Sequence, residues 1–159
     1  MLYSHAYIRA QAQEILKALG FDCPPINLRA VAKKLGLETV ELSLPLWFCG
    51  SLIKDEDQYY IVLNSIMTPE KKNFTIAHEI AHFKIHPEQL CYLKNSKRPW
   101  NHDEADVFAA ELCMPSTMVK EEARKWFGDH KFLARIFKVA EEAMVHRLNE
   151  LGLKNSPMW

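Results

Sequence analysis

The chain has 159 residues, 48% of them hydrophobic and 25% charged, with 20 basic and 20 acidic side chains. That length fits one domain, or one domain with a small appendage, and suffices to bury a proper core. A formal net charge of +0 offers no global electrostatic case for nucleic acid or an anionic membrane, and no apolar run approaches the ~20 residues of a bilayer span.

The opening residues Met1-Leu2-Tyr3-Ser4-His5 lack the charged-then-apolar layout of a signal peptide. Cys23, Cys49, Cys91 and Cys113 are scattered with no C-x-x-C. The expectation is reduced, mostly buried thiols in a cytoplasmic protein, not a zinc knuckle.

A helix is predicted from Ser4 to Leu19, with an apolar stripe through Ala6, Ile8, Ala12, Ile15, Leu16 and Leu19 and Gly20 as its C-cap. After a loop containing Pro24-Pro25, Asn27 caps a second helix, Leu28–Leu35, closed by Gly36. Leu37–Leu42 has strand character, and Leu44–Cys49 is aromatic and irregular around Pro45. Ser51–Lys54 and Tyr59–Asn64 flank the charged turn Asp55-Glu56-Asp57-Gln58 and read as a β-hairpin. Its second run is either the rim of a cleft, open to an added peptide strand, or an interior strand.

Thr68 and Pro69 mark a helix start. That helix contains Phe74-Thr75-Ile76-Ala77-His78-Glu79-Ile80-Ala81-His82-Phe83 and ends near Pro87. The run holds H-E-x-x-H. On a helix, His78 and His82 project from one face about one turn apart. Two neutral imidazoles so placed can grip Zn²⁺ at roughly 2.0–2.1 Å, with Glu79 beside them to take a proton from a water. The apolar flanks imply burial, where such a polar trio is costly without a task.

A linker, Glu88–Pro99, leads to a helix over Asn101–Pro115 with an acidic first turn and an apolar interior. Ser116 is placed to cap a further helix reaching about Phe127, and Gly128-Asp129 breaks it. Lys131–Phe137 and Ala140–Leu151 form a helix-turn-helix-like tail. The division expected is a core over 1–115 and a C-terminal helical subdomain over 116–159, packed on the core.

A catalytic zinc uses three protein ligands. The extended H-E-x-x-H-x-x-G-x-x-H pattern is excluded, because Ile85 and Glu88 stand at its last two fixed positions. His₂Glu remains, and Glu104 and Glu111, seven apart on one helix face, are not separated by spacing. Asp106 suits a partner that fixes a ligand histidine's tautomer. Glu111 reads better as a solvated or salt-bridged carboxylate, His86 as a last-turn histidine, and His102 as a surface residue at a helix start. Tyr59, Tyr60, Tyr92, His86, His102 and Arg98 are all candidate oxyanion donors.

The F-T-I-A-H-E-I-A-H-F run, followed by His86-Pro87 and then Glu104-Ala105-Asp106-Val107-Phe108-Ala109-Ala110-Glu111-Leu112-Cys113-Met114-Pro115, resembles the paired motifs of the ImmA/IrrE metallopeptidases. The likeness extends to Ile26-Asn27-Leu28, Leu35-Gly36-Leu37 and the Leu133–Leu153 tail, nearly the full chain. It implies an α+β, zincin-like (gluzincin-like) core: a small mixed or antiparallel sheet, an active-site helix and a glutamate helix. It also implies a single Zn²⁺ on His78, His82 and Glu104, with Glu79 as general base. The implied substrate is a helix-turn-helix repressor of the Xre type, in a mobile element or stress response. Cys113, where an aliphatic residue is common, and Ala81, where Gly is frequent, are mild departures. The competing reading is a non-proteolytic repressor- or DNA-binding module with a structural metal. The tail mixes Lys131, Arg135, Lys138 and Arg147 with Glu141, Glu142 and Glu150, which is no clear basic recognition face.

Overall fold

The computed structural model describes residues 3–87 and 101–153. In chain order the elements are α1 (His5–Leu19), α2 (Leu28–Lys34), β1 (Leu37–Leu42), β2 (Gly50–Asp55), β3 (Gln58–Asn64), α3 (Pro69–Ile85), α4 (Asn101–Cys113), α5 (Ser116–Lys125), α6 (His130–Phe137) and α7 (Glu141–Glu150). This is the expected α+β architecture. The linker 88–99, with Cys91 and the oxyanion candidates Tyr92 and Arg98, lies outside the described residues.

Local chemistry sets most boundaries. The side chains of Ser4, Asn27 and Thr68 accept from the backbone N–H groups of Tyr7, Ala30 and Lys71, which would otherwise be orphans of the first helical turn. Gly20 ends α1 at φ 76°, a left-handed conformation cheap only for glycine. Ser116 departs from expectation. It is the first residue of α5 and caps nothing, and Pro115 precedes it without a side-chain hydrogen bond. Its N–H and Oγ both donate to Glu111, at 2.9 and 3.0 Å, and that buried acceptor outcompetes the local cap. The helix stops at Lys125, because Phe127 already has positive φ (53°).

The sheet order is β1-β3-β2, with β1 parallel and β2 antiparallel to β3. Tyr59–Asn64 therefore lies in the central strand, paired on both sides, and the rim reading of it fails. The edge facing the H-E-x-x-H helix α3 is β2. Gly50, its first residue, passes so close to α3 that an added Cβ would lie 2.5 Å from Thr75 Cγ2 and 2.8 Å from Val62 O. Glycine there lets the edge strand sit directly on the helix.

One hydrophobic cluster runs from Ile8 on α1 to Leu148 on α7. The helix α3 packs against α4, β2, β3 and α2, and α4 packs against α1. It buries Ile76, Ala77, Ile80, Ala81 and Ile85, and with them Glu79 and His82. No described helix is long and apolar enough to cross a membrane.

Candidate metal centre

Helical spacing on α3 brings His78 and His82 together as the sequence implies: their rings meet edge-on and their Nε2 atoms are 3.1 Å apart. The third ring comes from α4. His102 stacks on His78 with centroids 5.3 Å apart, and its Nδ1 lies 3.2 Å from His78 Nε2. One nitrogen from each of the three rings falls within a cluster whose atoms are all within 4.8 Å of one another. A tetrahedral zinc with bonds of roughly 2.0–2.1 Å separates its donors by roughly 3.3–3.4 Å, so these two contacts suit the same small cation.

Glu104, the ligand the resemblance implies, is not one of the three residues grouped here. Its side chain is fully buried, with Oε2 2.9 Å from His86 Nε2 and Oε1 accepting the Tyr3 N–H at 3.1 Å. The cause is helical phase. Successive residues advance about 100° around a helix, so His102 and Glu104 lie on different faces of α4, whereas Asp106, one turn on, shares the face of His102. His78 Nδ1 donates to Asp106 Oδ1 at 2.8 Å, the tautomer-fixing contact expected of Asp106.

Glu111, the other carboxylate left open by spacing, is buried and salt-bridged rather than solvated. It pairs with Arg147 of α7 and accepts from Gln13 Nε2 at 2.8 Å. Burial acts most strongly on its carboxyl and pushes the pKa up. The Arg147 charge and the hydrogen bonds from Ser116, Gln13 and Arg147 outweigh burial and hold the pKa below the usual value. Arg147 also donates from Nε to Met114 O at 3.0 Å. It is 2% exposed, so this tail cation serves the interior and not a phosphate-binding face. His86 is the last-turn residue expected, the C-cap of α3, and is also a buried partner of Glu104.

Glu79 is 7% exposed, and its Oε2 accepts the Leu52 N–H from β2 at 2.9 Å. That bond ties the motif helix to the edge strand. The Tyr59 ring packs edge-to-face on Phe83, 5.1 Å between centroids.

Residues 32–149 match the family described as the IrrE N-terminal-like domain, Peptidase M78. "Uncharacterized immunity region protein 2" of Bacillus phage phi105 is 24% identical over 121 residues, 74% of each chain. A solved structure, described as a Mycobacterium tuberculosis transcriptional regulator, superimposes with a TM-score of 0.69 at 18% identity. It covers 92% of this chain and 47% of its own length, so the present chain spans about half of that regulator. At that identity the likeness concerns the fold.

Proposed function

The chain belongs to the IrrE N-terminal-like, ImmA/IrrE-type family of metallopeptidases, and from that premise we propose that it is a zinc-dependent endopeptidase whose substrate is a helix-turn-helix repressor. The observation that carries the reading is the convergence of ring nitrogens from His78, His82 and His102 at 3.1 and 3.2 Å. We assign these three as the residues that would hold one ion, with Glu104 behind them. The chemistry such an ion would supply there is polarisation of a peptide carbonyl and acidification of a water.

The chain's own groups do the rest. Glu79 takes the proton of the attacking water and returns it to the leaving amine. Its bond to Leu52 N–H keeps the carboxylate beside the edge strand, and β2 offers an extended peptide a backbone rim next to that base. The phage relative named for an immunity region, together with the family, supports a repressor as the substrate.

The test is metal content and cleavage measured together. Wild-type protein should carry about one zinc per chain, His102→Ala should lose it, and Glu104→Ala should retain more than His102→Ala. A repressor encoded beside the gene should be cut by the zinc-loaded protein and spared when a chelator is present. The reverse order of zinc retention refutes the ligand set, and an intact repressor with zinc-loaded protein refutes the substrate.

A further inference from the structure

We propose that Glu104 and His86 form a positioning relay that sets the tautomer of His82, and through it the strength of the metal site. The inference rests on the reading of His82 as a ligand. His82 turns Nε2 toward His78 at 3.1 Å and Nδ1 toward His86 Nδ1 at 3.2 Å. The other nitrogen of His86 lies 2.9 Å from Glu104 Oε2. Glu104 is itself steadied through Oε1 by the Tyr3 N–H. His86 is 3% exposed and Glu104 fully buried.

The hydrogen positions follow in sequence. A carboxylate only accepts, so His86 Nε2 carries the hydrogen of that contact. A neutral imidazole has one N–H, so His86 Nδ1 is an acceptor. The hydrogen between the two Nδ1 atoms therefore belongs to His82, and its Nε2 presents a lone pair on the side of His78. Asp106 does this for His78 in one step. Glu104 does it for His82 in two, across one turn of α3. Such outer partners orient a ligand ring and raise its basicity.

The test combines tautomer and affinity. Histidine ¹⁵N NMR on the metal-free wild type should show His82 with its hydrogen on Nδ1. In His86→Phe, which cannot accept, the hydrogen should move to Nε2. Chelator competition should give zinc binding weakened about 10–100-fold in both Glu104→Gln and His86→Phe, with the double variant no weaker than the worse single one, because the two act along one path. The visible spectrum of the cobalt-loaded variants should change as well. A wild-type His82 protonated on Nε2 overturns the relay without need of any variant, so a variant that fails to fold leaves the question decided. Variants that melt earlier but keep the wild-type tautomer and zinc affinity reduce the pair to a structural contact. A wild type that binds no zinc defeats the metal-centre reading instead, and so separates the two failures.

Discussion

His78 Nδ1 stands 2.8 Å from Asp106 Oδ1 across the α3–α4 contact. The carboxylate can only accept, so the hydrogen sits on Nδ1 and the lone pair on Nε2, the atom that meets His82 and His102. Asp106→Asn removes the charge that makes the ring a better donor to a cation. Zinc affinity should fall about 10–100-fold, read by chelator competition. The Asp106 side chain is 55% exposed, so the melting temperature of the metal-free protein should barely move. Unaltered zinc affinity would reduce the pair to a surface contact.

Glu79→Gln separates binding from chemistry. The amide oxygen can still accept from Leu52 N–H, so the link between α3 and β2 survives. It cannot take up a proton. Zinc content should equal that of the wild type, while kcat on a repressor substrate drops about 10²–10⁴-fold. Cleavage at the wild-type rate would remove Glu79 from the role of base. Biological activity that persists without cleavage would favour a binding module.

Much of this was legible because it is written in local code. The caps Ser4, Asn27 and Thr68, the stop at Gly20 and the H-E-x-x-H spacing each act within a few residues. What is not legible locally depends on which way α4 is turned. The resemblance implies Glu104, whereas His102, one turn before Asp106 and on its face, is the α4 residue whose ring reaches His78. Glu111 escaped for another reason. Its counter-ion Arg147 is 36 residues away, and nothing in the spacing of either helix announces a contact that only the packed fold makes. The central position of β3 was hidden likewise, since strand order depends on where β1 lands and not on the hairpin itself.

Cys113 offers a check on the α4 packing that owes nothing to metal. It is 1% exposed, and burial pushes its thiol up to about 12. Thiolate is the reactive form, so at pH 8 Cys113 should resist an alkylating reagent in the native protein and react fully in denaturant. Cys23 and Cys49 are exposed and should be modified first. Peptide mass spectrometry after brief labelling reads the order. Early modification of Cys113 would mean that α4 is not seated as described.

The buried Glu111–Arg147 pair predicts how the protein fails in acid. Unfolded, the Glu111 carboxyl titrates near its ordinary 4.5; folded, it titrates lower. Above about 4.5 both states are ionised and the pair contributes in full. As the pH falls below that, the unfolded chain takes up its proton first. The equilibrium then shifts toward unfolding, until the pH has also passed the folded value. Glu111→Gln abolishes this component of the acid sensitivity. It also leaves Arg147 buried without its counter-charge, at a cost of about 3 kcal/mol. Urea melts of the metal-free proteins from neutral pH down to pH 3 should therefore show the variant less stable at neutrality and the gap narrowing steadily in acid. Parallel curves would mean that the carboxylate titrates alike in both states and that Arg147 is not what holds it ionised.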